Sequence, residues 1–202
     1  MPTTSPFLDS PGGTREEIIR ATYLALCEYG YADLTIQRIG EQFPKSKSLI
    51  YHHYDGKDEL LLDFLEFALD RFEGLVPFDD ADSAGEHLDS ILDHVLATPL
   101  SPERRQFATA IVELRGQAAH NPRYRDHFTC HDQFFHDQIA AIIEAGIEDG
   151  EFNAVSADVF AWFLVTVING AMTQRVTSDA DTTAMVRAQI DRCIGTVVAG
   201  AR

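Results

Sequence analysis

The sequence predicts an all-α protein with a small N-terminal three-helix head and a larger helical body of about six helices. Apolar residues recur every three or four positions along most of the chain, and no segment alternates apolar and polar as a half-buried strand does. Ser and Thr stand as N-cap candidates at Thr14, Thr35, Ser46, Ser101 and Ser156, with Gly or Pro closing the segments between them. Between Thr35 and Tyr54, two short amphipathic stretches flank Pro44, giving a helix, tight turn, helix unit.

Composition sets the class. With 202 residues and 45% hydrophobic content, the chain can bury a core without staples. Cys27, Cys130 and Cys193 are odd in number and widely spaced, which fits a reducing cytoplasm better than a disulfide framework. Residues 1–13 lack the basic and apolar segments of a signal peptide and read as a disordered tail. The longest apolar run, Val159 to Val167, falls short of the roughly 20 residues that span a bilayer, so no membrane partner is expected.

The formal net charge is -16, unevenly spread. Thr14 to Leu62 carries six Lys and Arg against eight Asp and Glu, a net of -2; Asp63 to Arg202 carries ten against twenty-three, a net of -13, and Asp9 supplies the rest. All three lysines, Lys45, Lys47 and Lys57, lie in the first stretch. Asp exceeds Glu nineteen to thirteen and Lys is scarce, a balance resembling that of proteins from salt-accumulating halophiles.

Thr14-Arg15-Glu16-Glu17 has the form of a capping box, with Thr14 as N-cap and Glu17 reaching back. The helix it opens buries Ile18, Ile19, Thr22, Tyr23, Leu26 and Cys27 and stops at Gly30. Thr35 caps a second helix of about two turns, lined by Ile36, Ile39 and Phe43 and closed by Pro44. A third opens near Ser46, with Leu49, Ile50 and Tyr54 inward. A fourth runs from about Lys57 to Phe72, with acidic residues in its first turn. The acidic stretch Pro77 to Gly85 reads as a loop. Helices follow over Glu86 to Ala97, Pro102 to about His120, Pro122 to about Gly146, from Ser156 through Met172, and Thr182 to Val198.

Thr35-x-x-x-Ile39-Gly40, Ser46-Lys47-Ser48-x-Ile50-Tyr51-His52-His53-Tyr54 and Lys57-x-x-Leu60 together resemble the DNA-binding signature of the TetR/AcrR family of transcriptional regulators. Two positions depart from it: Pro44 stands at the usual turn glycine, and Ser48 at the usual small glycine of the recognition helix. The resemblance implies a helix-turn-helix DNA-binding domain over 14–56 and a ligand-binding and dimerisation domain over 57–202. It also implies a cytoplasmic homodimer whose two heads reach successive major grooves, about 34–36 Å apart, of a palindromic double-stranded operator. The function expected is ligand-responsive repression, with DNA released when an apolar small molecule binds the body.

The residues support this reading independently. A helix opening at Ser46 points free N–H groups and the positive end of its dipole at phosphates, and Lys45 and Lys47 add charge there. The candidate DNA-binding set is Thr35, Lys45, Ser46, Lys47, Ser48, Tyr51, His52 and Lys57, with base readout falling to Lys45, Lys47, Ser48 and His52. The body is rich in rings, and Phe64, Phe67, Phe107, Phe128, Phe135 and Trp162 are candidates for an effector pocket. The last two helices are apolar over much of their circumference, as helices at an interface are. Val165, Ile168, Met172, Ile190, Ile194 and Val197 are the candidate dimer residues.

One alternative stays open. His127, Cys130 and His131 sit at i, i+3 and i+4, a spacing that can hold a soft or borderline metal if His87 or His94 supplies a fourth ligand. That would make a metal-sensing regulator or a helical metalloprotein. No Glu-x-x-His pair, nucleophile elbow, phosphate-binding glycine loop or zincin motif occurs, so neither an enzyme nor a cofactor is expected.

Overall fold

A computed structural model describes residues 12–78 and 82–195. The described residues form nine α-helices: α1 (Thr14–Asp33), α2 (Ile36–Gln42), α3 (Lys47–His53), α4 (Lys57–Glu73), α5 (Ala84–Val95), α6 (Pro102–Gln117), α7 (Pro122–Glu148), α8 (Ala157–Thr177) and α9 (Thr183–Cys193). The chain packs as two compact units, 1–73 with 101–128 and 74–100 with 129–202.

The first unit contains α1 to α4, α6 and the first seven residues of α7. Its core joins Ile18, Ile19, Leu26, Ile39, Ile50, Leu61, Phe64 and Leu65 to Leu114, Tyr124 and Phe128. The three-helix head thus shares one core with α4 and α6. This unit carries twelve Lys and Arg against sixteen Asp and Glu, net -4; the second carries four against sixteen, net -12.

The caps explain where the helices start. Ser83, Ser101 and Ser156 each accept a hydrogen bond from the backbone N–H three residues on, and Pro102 occupies the first turn of α6. The capping box expected at Thr14 does not form, and the helix is capped one residue earlier. Gly13 is the N-cap of α1, Glu16 rather than Glu17 reaches back, accepting from Gly12 N–H at 2.8 Å, and Glu17 pairs with Lys45 instead. Gly30 kinks α1 rather than ending it: at φ 69° and ψ 168° it breaks the helix, and residues 31–33 resume it. α5 starts inside the segment read as a loop, because the Glu151 carboxylate accepts from Ala84 N–H and Gly85 N–H at 2.9 and 2.8 Å and stabilises its first turn.

In the second unit, α5, α8 and α9 bury Leu88, Ile91, Leu92, Ala161, Leu164 and Ile190. By length and composition α8 passes the threshold for a membrane span, which the run Val159 to Val167 alone does not. Its inner side is packed in the protein, and buried Arg175 donates to Ala97 O at 2.8 Å.

The same unit holds a charged joint between α7 and α8. His136 is buried with its ring stacked on Trp162 at 4.4 Å; Nδ1 lies 2.9 Å from Asp137 Oδ1 and Nε2 lies 3.1 Å from Asp158 Oδ1. Burial pulls its pKa down, but the hydrogen bond with Asp137 and the contacts with Asp158 outweigh that and raise it. A raised histidine pKa contributes stability below the unfolded value of about 6.5, lost as pH rises through the folded value. Thermal melts should therefore show a fall in Tm as pH rises above about 6.5 through the folded value, and His136→Asn should lack that component.

Candidate nucleic-acid interface

The helix-turn-helix is built from two short helices that pack closely because Gly40 has no side chain. A Cβ there would lie 2.5 Å from Lys47 Cγ, so the stem of Lys47 lies directly on α2. Ile39 and Ile50 are fully buried beneath this crossing, and Phe43 is 5% exposed. Pro44 fits the turn: Phe43 before it is extended at φ -89° and ψ 126°, the geometry proline imposes on its predecessor. Ser46 follows at φ -64° and ψ 134° and caps α3. The proline ring holds φ at about -65°, so position 44 does not need the freedom of a glycine.

The expected residues separate into two groups. Lys47, Ser48, Tyr51 and His52 occupy adjoining positions i, i+1, i+4 and i+5 on the exposed side of α3, and Tyr51 is 62% exposed. Ser46 Oγ lies 2.8 Å from Ser48 Oγ at the start of that helix. Thr35 is exposed and caps α2, its Oγ1 accepting from Arg38 N–H at 3.2 Å. The other two lysines are engaged elsewhere. Lys45 pairs with the Glu17 carboxylate and reaches Thr14 Oγ1 at 3.3 Å. Lys57 donates to Tyr31 O at 2.9 Å and stands 4.5 Å over the Tyr31 ring.

Behind α3, a polar joint fixes its exit. Tyr54 OH donates to Asp63 Oδ2, and Arg15 Nε donates to the same oxygen at 3.0 Å, tying α1 and α4 to the end of α3. Burial and the adjacent Asp63 push the Tyr54 hydroxyl pKa far up, so it stays a donor at any working pH. Burial alone would raise the Asp63 pKa, but hydrogen bonds from Arg15 and Tyr54 outweigh it and lower it. Tyr54, expected only as an inward ring, is thus also a strut. Asp63 was not singled out in the sequence, nor was Arg15 as its partner, because nothing local links two positions 48 residues apart.

The candidate pocket residues divide between the units. Phe64, Phe67, Phe107 and Phe128 lie in the first, where Phe64 stacks on Tyr23 at 6.3 Å and Phe107 on Phe72 at 6.2 Å. Phe135 and Trp162 lie in the second, where Phe135 meets Phe78 and Phe134 edge to face at 5.4 and 5.7 Å. Phe78 and Phe134 were not among the expected pocket residues.

The candidate dimer residues differ in burial. Val165, Ile168 and Ile190 are buried inside the chain, at 5, 8 and 1% exposure, so they serve the internal core. Met172 and Ile194 are half-buried, and Val197 lies outside the described residues. The apolar side chains left open on the same helices are Val159, Trp162 and Phe163 on α8 and Met185 on α9.

The metal constellation does not assemble. Cys130 is exposed, the His131 ring packs on Phe135 at 5.0 Å, and His127 lines a polar cleft of about 370 Å³ with Arg15, His53, Asp63 and Arg123. Among the described residues, no three His, Cys, Asp or Glu side chains form a group that could hold an ion.

Known proteins agree with this geometry. Residues 18–64 match the family described as bacterial regulatory proteins, tetR family, and residues 84–199 match that described as BetI-type transcriptional repressor, C-terminal. The chain is 24% identical over 170 residues to the HTH-type transcriptional repressor AcnR of Corynebacterium glutamicum, covering 84% of this chain and 85% of that one. A crystallised TetR transcription regulator from Haloarcula marismortui superposes with a TM-score of 0.84 and 34% identity over 91% of this chain and 97% of its own. A regulator from Saccharomonospora viridis, crystallised with choline, shares the fold with a TM-score of 0.75 at 22% identity, over 93% of this chain and 98% of its own. With its helix-turn-helix and its helical C-terminal region both matched, this chain belongs to the TetR family of transcriptional regulators.

Proposed function

We propose that this chain is a cytoplasmic homodimeric repressor that binds a palindromic operator through α3 and releases it when an apolar small molecule binds. The observation that supports this most directly is the outward set Lys47, Ser48, Tyr51 and His52, which offers donors of different reach on one exposed helix side. Tyr51 supplies a phosphate contact that fixes register, Lys47 adds charge at the phosphates and reaches base edges, and Ser48 and His52 complete the base readout. Ser46 and Thr35 present helix N-termini to the backbone of the DNA.

The open apolar side chains of α8 and α9 support a dimer. Phe163 is 41% exposed and Val159 65%, four residues apart on one helix side. Phe163→Glu is expected to convert dimer to monomer at micromolar concentration in sedimentation equilibrium, with operator affinity falling because the two half-sites are no longer linked.

Release requires that the effector favour a state whose head spacing no longer matches the operator; only that difference in affinity moves DNA off. Titrating apolar compounds into an operator complex, with choline in a parallel arm, tests the effector class. Dissociation by an apolar ligand alone supports the reading. Dissociation by choline alone would replace it with cation recognition over aromatic faces.

A further inference from the structure

The main chain of Tyr31 is gripped on both sides. Gly30, at φ 69° and ψ 168°, turns the Tyr31 N–H away from the helical acceptor four residues back. Glu113 of α6 replaces that acceptor: its Oε2 receives the Tyr31 N–H at 2.9 Å. The carbonyl of the same residue accepts from Lys57 Nζ, the first residue of α4, at 2.9 Å, and the ammonium also lies 4.5 Å over the Tyr31 ring. A Cβ at Gly30 would lie 3.2 Å from Glu113 Oε1, so the glycine both allows the bend and leaves room for the carboxylate. From Tyr31 the chain runs through Asp33 and Leu34 straight into Thr35, the cap of α2.

We infer that Glu113 and Lys57 are positioning residues that clasp the Tyr31 peptide and so set where α2 and α3 stand relative to α4 and α6. Lys57 acts through this clasp and not as a phosphate ligand. Both hydrogen bonds involve a charged group, the stronger class of such bonds, and removing Glu113 leaves a partly buried N–H without its acceptor. No local signal in the sequence reveals this, since the three residues come from positions 31, 57 and 113. The inference rests on DNA binding by the head only for its functional consequence; the clasp itself rests on the two hydrogen bonds to the Tyr31 peptide.

The test pairs two measurements on the full-length protein. Hydrogen exchange at the Tyr31 amide needs no DNA. Glu113→Ala should speed it tenfold or more while amides of α8 keep their rates, and Glu113→Gln, which still offers an oxygen acceptor, should restore it. Unchanged exchange in Glu113→Ala would overturn the clasp. Operator affinity is then measured against salt. Glu113→Ala and Lys57→Met should each weaken binding about tenfold with the slope of log K against log salt unchanged, and Glu113→Gln should bind as the parent does. If Lys57 instead held one phosphate per protomer, Lys57→Met would lower the slope by about 1.8, twice the roughly 0.9 expected per phosphate, and would overturn its positioning role. A parent protein that binds no DNA would sink the DNA-binding reading and the positioning role with it, while the exchange result would still decide the clasp.

Discussion

Replacing Lys47 and Tyr51 together with alanine is expected to abolish operator binding while leaving the dimer intact and lowering its Tm only slightly, through loss of the Lys47 stem on α2. Both side chains are exposed on α3, and neither is in the core beneath it, which is made by Ile39, Phe43 and Ile50. Truncating them costs contacts to DNA and little folding energy. Each protomer loses a cation and a hydroxyl donor, and a symmetric dimer loses both twice, so the fall in affinity should exceed about a hundredfold, or about 2.7 kcal/mol. On the proposed reading each half-site also loses a lysine charge at the phosphates, so the salt slope should flatten as well. Measured by fluorescence anisotropy on operator DNA, normal binding by this variant would show that α3 is not the recognition helix.

The second large effect concerns the joint behind α3. Asp63→Ala removes the shared acceptor of Arg15 and Tyr54, leaving a buried hydroxyl and a guanidinium without it. Asp63 is 20% exposed in its side chain, so the loss should be substantial, about 2–3 kcal/mol of unfolding free energy in a urea titration. Its pH dependence has a definite sign. The folded pKa of Asp63 is lowered, so its contribution is fully present above the unfolded value of about 3.9 and is lost as pH falls through the folded one. The variant should therefore lack that acid-side part of the parent's stability curve. Tyr54→Phe should reproduce a fraction of the loss and leave the Arg15 contact.

Much of this site was legible in the sequence because it is local. Thr35 and Ser46 cap α2 and α3 as their residue types and neighbours imply, and Pro44 closes α2 through a restriction it places on Phe43 alone. What was not legible depends on distance or on choice among equals. Glu16 and Glu17 both stand in the first turn of α1, and only the tertiary partner Lys45 draws Glu17 away from the capping role. Along α8 the apolar residues go nearly all the way round, so periodicity offers several stripes. Packing assigns Val165 and Ile168 inward and leaves Val159 and Phe163 open. The i, i+3, i+4 pattern of His127, Cys130 and His131 gives a shared helix side, but among the described residues no three such side chains converge, and the His131 ring is drawn onto Phe135.

The charge distribution sharpens how such a protein must find DNA. Even the unit that carries the head is net -4, so no long-range field draws it to a polyanion. Affinity must come from short-range donors held in register, which is why the groups that orient α3, Asp63 and Tyr54 behind it and Gly40 beneath it, matter as much as those that face outward. At about 1 M salt, repulsion is screened within roughly 3 Å and these contacts act almost alone.

Selection of bound sequences from random double-stranded DNA, repeated at several salt concentrations, tests the central claim most directly. The account predicts enrichment of a palindrome with half-site centres about 10 base pairs or a multiple apart, with binding that weakens only shallowly with salt because few phosphates are neutralised. Recovery of no enriched sequence at any salt concentration, or of one without two-fold symmetry, would contradict it.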